Sequence, residues 1–158
     1  MKNLLLMTAL LSSATTLAGS KSVKVIYGED NRVDVFESTN SMYVELSKST
    51  AAMIPGGSVS SEVNGEIKLQ GSSLESRGIC STERFAKQPT SAMCSGFLVG
   101  EDLLVTAGHC ITGQSACNQN KWVFDYKVDH ADQSSVSVPA TSVYSCKKII
   151  SRELSSWN

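Results

Sequence analysis

The run Val105-Thr106-Ala107-Gly108-His109-Cys110 places an imidazole beside a sulfur, on small residues, at the end of an apolar stretch. Two chemistries need that arrangement. An imidazole held rigidly can take the proton of a hydroxyl nucleophile and return it to a leaving amine, the work of a general base. The same imidazole with Cys110, and with Cys117 further on, offers nitrogen and sulfur to a metal. The second reading is disfavoured, because the chain has no Cys-x-x-Cys pair and no His-x₃₋₅-His spacing. Small residues at 107 and 108 let neighbouring backbone come close and hold the ring, which suits a base. The other histidine, His130 in Val128-Asp129-His130-Ala131-Asp132, has no comparable setting and reads as a loop residue.

The elements that must position His109 are short and β-like. Gly96–Val99 and Leu103–Thr106 are apolar runs separated by Gly100-Glu101-Asp102, a hairpin pattern that delivers His109 just past its second strand. Trp122–Val128 is rich in aromatic and β-branched residues, and Ser135–Ile150 supplies two further strand candidates around Pro139. Upstream, Ser22–Tyr27 and Arg32–Phe36 alternate across a Gly28-Glu29-Asp30-Asn31 break, and Ala51–Ile54 predicts a strand closed by Pro55-Gly56-Gly57. The spacing over Ser41–Lys48 predicts one short helix with Met42, Tyr43 and Leu46 turned inward. Residues 56–76 are Ser/Gly-rich and weakly patterned, as in a surface loop or several short strands. Close-spaced strands with no long helix predict an all-β sandwich or barrel.

The N-terminus sets the compartment. A charged Met1-Lys2-Asn3, an apolar Leu4–Leu11 and a drift to Thr16-Leu17-Ala18 make residues 1–18 a secretory signal peptide, too short to span a bilayer. The exported remainder, about 140 residues, is one domain's worth of chain. Its location is then secreted or periplasmic, with no membrane association after signal removal. With 14 basic against 15 acidic residues there is no field for nucleic acid. The oligomeric state is left open. Cysteines 80, 94, 110, 117 and 146 fall in an oxidising compartment, so disulfides are the default, and an odd count leaves one over. Cys117 and Cys146 enclose the Trp122 strand and are candidates to bridge; Cys80 is then the odd one.

Taken together, Cys94-Ser95-Gly96-Phe97-Leu98-Val99 and, further on, Thr106-Ala107-Gly108-His109-Cys110 resemble the trypsin/chymotrypsin-like serine peptidase family, most of all its exported bacterial, glutamyl-endopeptidase-like branch. Ile26–Arg32 also resembles the start of the catalytic domain in such relatives. The resemblance implies a first antiparallel β-barrel of a two-barrel fold, the second barrel lying outside this chain. It implies His109 as general base, a Cys94–Cys110 disulfide, protein or peptide substrates, and no cofactor or metal. The domain reading is signal peptide 1–18, a propeptide or N-terminal segment of the peptidase domain over 19–76, and the first barrel over 77–158.

The family's aspartate and serine find no match here. Asp125, Asp129 and Asp132 follow His109 without an Asp-x-Ala-Leu strand, and no Gly-Asp-Ser-Gly-Gly occurs. Ser95 belongs to the strand before the histidine, and Ser72 and Ser73 lack a nucleophile's surroundings. Those two triad members are therefore expected beyond Asn158, with this chain inactive alone. Lys21, Lys24, Lys68 and Arg77 are basic positions where zymogen cleavage is chemically open. A non-catalytic half-domain acting as a binding module and a Cys/His metal-binding domain are the competing readings.

Overall fold

The computed structural model describes residues 29–131 and 133–154; the predicted signal peptide and the predicted 22–27 strand lie outside them. Described residues up to Arg32 belong to one unit, in which Arg32 grips the Asp30 carboxylate through Nε and a terminal nitrogen, both at 2.9 Å. Everything that follows belongs to the second, which runs from Val33 onward.

That unit is built from short antiparallel strands. β1 (Thr50–Pro55), β2 (Glu66–Leu69), β3 (Ser72–Ser73), β4 (Pro89–Thr90), β5 (Cys94–Gly100), β6 (Leu103–Thr106), β7 (Asn120–Val123), β8 (Val136–Pro139) and β9 (Val143–Ser145) are joined by turns and two short helices, α1 (Ser41–Ser47) and α2 (Gln114–Gln119). The main sheet has the order β6-β5-β1-β7-β9, and β2-β8 and β3-β4 form two-stranded sheets beside it. Mostly β structure in a curled antiparallel sheet is the all-β architecture expected from the strand pattern, and is consistent with the single barrel that the resemblance implies.

β1 holds the centre because both of its faces are apolar. Ala52 and Ile54 point to a cluster with Val123, Leu69, Val136 and Val138, while Ala51 and Met53 point to one with Trp122, Cys117 and Ile111. The register agrees, since Ala52 stands opposite Val123 and Met53 opposite Trp122. An apolar run without alternation is what a strand covered on both sides requires. Although β1 lies upstream of residue 77, it pairs with β5 on one side and β7 on the other.

Three elements differ from their expected form. α1 exists, but Met42, Tyr43 and Leu46 are exposed, and Val44 and Ser47 are the half-buried positions. The helical period is present with a different face turned inward. In two turns, the phase follows the entry, where the Asn40 side chain accepts from the Met42 N–H, and the exit into β1. Arg32–Phe36 yields no strand; Val35–Glu37 is a 3₁₀ turn in which the Asp34 N–H donates to the Glu37 carboxylate at 2.9 Å. The Trp122–Val128 run ends as a strand at Val123, because Asp125 adopts a left-handed φ of 56° and its carboxylate accepts from Ser142 Oγ at 2.9 Å.

Candidate functional site

The hairpin that delivers His109 forms as expected. β5 pairs with β6 through Gly96 opposite Thr106 and Phe97 opposite Val105, with a register shift between Leu98 and Gly100. Gly96 is the point of closest packing: a Cβ there would lie 2.5 Å from Leu104 Cδ2 and 2.9 Å from the Trp122 ring. The strand is therefore pressed against the core at that point. Thr106 Oγ1 donates to the Ser95 carbonyl at 2.7 Å and ties off the end of the hairpin.

Beyond Thr106 the backbone folds into a tight turn. The Cys110 N–H donates to the Ala107 carbonyl at 2.9 Å, so Gly108 and His109 occupy its apex. His109 is exposed, whereas Ile111, two residues on, is buried in the cluster of Met53, Trp122 and Cys117. Cys110 is bonded to Cys94, with Cα atoms 6.1 Å apart, and joins the turn to the first residue of β5. The turn is thus held by a hydrogen bond, a covalent bond and a buried side chain while its imidazole faces outward. Such a ring can exchange a proton with a bound substrate without the turn having to move.

A second disulfide joins Cys117 on α2 to Cys146 just past β9, as their enclosing positions suggested. Cys80 is free and exposed. The ligand-type atoms of Cys94, His109 and Cys110 lie within 4.8 Å of one another, yet the two sulfurs are bonded to each other and are not thiolates. Only the imidazole is left as a donor, and one nitrogen makes no zinc site.

The remaining candidates are dispersed. Asp125 faces Ser142, and Asp129 accepts from Lys127 Nζ at 3.2 Å in an exposed pair. His130 lies in the turn after β7, with its carbonyl accepting from the Gln133 N–H. Ser95 is exposed on β5, and Ser72 and Ser73 form β3. Asp132 lies outside the described residues. A cavity of about 290 Å³ opens between Val35, Ser47, Ala52, Ser95 and Asp125, but His109 does not line it. The anchored imidazole of His109 lies on the turn instead.

One contact was not foreseen. The segment after Cys146 returns across the His109 turn, where Arg152 Nε donates to the Gly108 carbonyl at 2.9 Å. The only hint in the sequence was a glycine directly before the histidine.

A family model described as Trypsin matches residues 72–155, a span that begins at β3 and includes the hairpin, the His109 turn and both disulfides. No curated protein and no solved structure matches the chain.

Proposed function

The chain belongs to the trypsin family, and on that premise we propose that it is the part of a secreted serine endopeptidase that carries the general base, His109. The observation that carries the reading is the anchored turn: an exposed imidazole at the end of β6, locked by Cys94–Cys110 inside the matched segment. Family membership gives the coarse activity, a serine peptidase acting on proteins. The general-base role adds the chemistry. A serine hydroxyl is a poor nucleophile near neutral pH, and His109 takes its proton as the hydroxyl adds to the peptide carbonyl. The imidazolium then donates that proton to the leaving amine, and the cycle repeats with water.

The serine, the aspartate that orients the ring and the amides of the oxyanion hole come, in this reading, from residues after Asn158. Export to a secreted or periplasmic location is supported by the apolar leader at Leu4–Leu11 and by the two disulfides. The glutamyl-endopeptidase-like branch rests on the resemblance of Ile26–Arg32 and the two motifs. Of the two readings of residues 19–76, propeptide or N-terminal segment of the peptidase domain, the pairing of β1 with β5 and β7 supports the second for the β1 segment.

The test is made on the secreted product of the gene. A serine-directed fluorophosphonate labels one serine, and His109→Ala lowers kcat/KM on a peptide substrate by about 10⁴-fold or more. Undiminished hydrolysis by His109→Ala overturns the role. The chain ending at Asn158 takes no label, and stoichiometric labelling of one of its own serines overturns a nucleophile beyond that residue.

A further inference from the structure

We infer that the segment Arg152-Glu153-Leu154 is a strap that positions His109, with Arg152 and Gly108 as its positioning residues. The inference deepens the proposed function and rests on His109 being the base. The strap starts from a fixed point: Cys146 is bonded to Cys117, and Ile149 packs on the cluster formed by Met53, Ile111 and Trp122. From there the chain reaches the His109 turn, and Arg152 Nε donates to the carbonyl of Gly108, 44 residues earlier in sequence, at 2.9 Å.

The second contact is steric. A Cβ added at Gly108 would run into the carbonyl oxygen of Glu153 and lie 3.6 Å from Leu154 Cβ. Gly108 does not have a positive φ, in contrast to Gly65 and Gly78, so its backbone conformation does not demand glycine. What demands it is the backbone of the strap lying against its Cα. Backbone cannot move aside as a flexible side chain can, so any larger residue at 108 displaces the strap, the turn, or both.

The two contacts act on the residue that immediately precedes His109. The Cys94–Cys110 bond fixes the residue that follows it. The backbone on both sides of His109 is therefore held, and the Arg152 side of the clamp is reversible. A guanidinium hydrogen bond to a carbonyl is charge-assisted and directional, which suits a part that must hold a turn at a set height over the sheet.

The experiment uses the whole chain, isotopically labelled, with backbone order parameters measured by NMR relaxation. His130, in the loop after β7, is the internal control. In the wild type, residues 108–110 have values near 0.85, and in Arg152→Ala they fall toward 0.6 while residue 130 is unchanged. Arg152→Lys, which keeps a cationic donor, restores most of the lost order; Gly108→Ala lowers it again and shifts the resonances of residues 152–154. If Arg152→Ala does not fold, Arg152→Gln replaces it, with an intermediate loss expected. Lower thermal stability with order at 108–110 unchanged overturns the strap, as does failure of the Lys variant to restore order. No turnover is involved, so a failure of the strap is distinguishable from a failure of the protease reading tested by serine labelling.

Discussion

β1 and the β5–β6 hairpin are neighbours in one sheet and are built from similar apolar residues, yet they live in opposite environments. Ile54 on β1 is 0% exposed and its strand is covered on both faces, whereas Phe97 and Val99 on β5 are 52% and 57% exposed. The difference follows from what lies above each. β2 and β8 supply Leu69, Val136 and Val138 over the β1–β7 half, and nothing equivalent reaches Phe97, Val99 and Val105 among the described residues. The hairpin falls within the Trypsin match together with β7 and β8, while β1 and β2 lie outside it. The buried strand and the strands that deliver the proposed base are different parts of the sheet. Next to the proposed base, the hairpin therefore leaves the apolar side chains of Phe97, Val99 and Val105 exposed, a surface open to contact.

The largest effect expected is covalent and belongs to the buried half. Replacing Cys117 and Cys146 together by alanine releases a loop with a sequence separation of 29. The chain-entropy cost is about 3–4 kcal/mol, read as a lower urea midpoint. Ile54→Ala comes next, at about 3 kcal/mol, because deleting a fully buried branched side chain removes its transfer energy and leaves a cavity. If either change costs less than about 1 kcal/mol, the buried half is not where the stability resides, and the contrast with the hairpin is lost.

Covalent and turn chemistry was legible in the sequence. Gly100-Glu101-Asp102 between apolar runs marks the hairpin whatever surrounds it, and Cys117 and Cys146, which enclose the Trp122 strand, were candidates to bridge and do. The family motif supplied His109 and, through it, the Cys94 partner. Features set by tertiary packing were harder to read. α1 has apolar residues on more than one side, so nothing local decides whether Leu46 or Val44 turns inward. The end of β7 depends on Asp125 meeting Ser142, a partner from another strand connection. α2 has no amphipathic pattern in six residues, and Cys117 is its one buried residue. The Arg152–Gly108 contact joins residues far apart through backbone, which leaves no periodicity to find.

The smallest expected effect tests the comparison most directly, because the same chemical change is made in both halves. Threonine matches valine in shape and β-branching, so Val→Thr alters little except that a methyl becomes a hydroxyl. At Val123, 0% exposed within the β1–β7 core, that hydroxyl loses water with no designed partner, and about 2 kcal/mol of stability goes with it. At Val99 and Val105, 57% and 44% exposed, the hydroxyl stays hydrated and each change costs less than about 0.5 kcal/mol. The hairpin pair should instead change association: sedimentation velocity is expected to show less self-association in Val99→Thr/Val105→Thr than in the wild type, since the apolar surface available for contact is smaller. A cost at Val99 or Val105 matching that at Val123 would mean that the hairpin face is covered in the folded chain. It would then be an inner wall of a closed core, and the division between a stabilising strand and an open hairpin that delivers the proposed base would have to be abandoned.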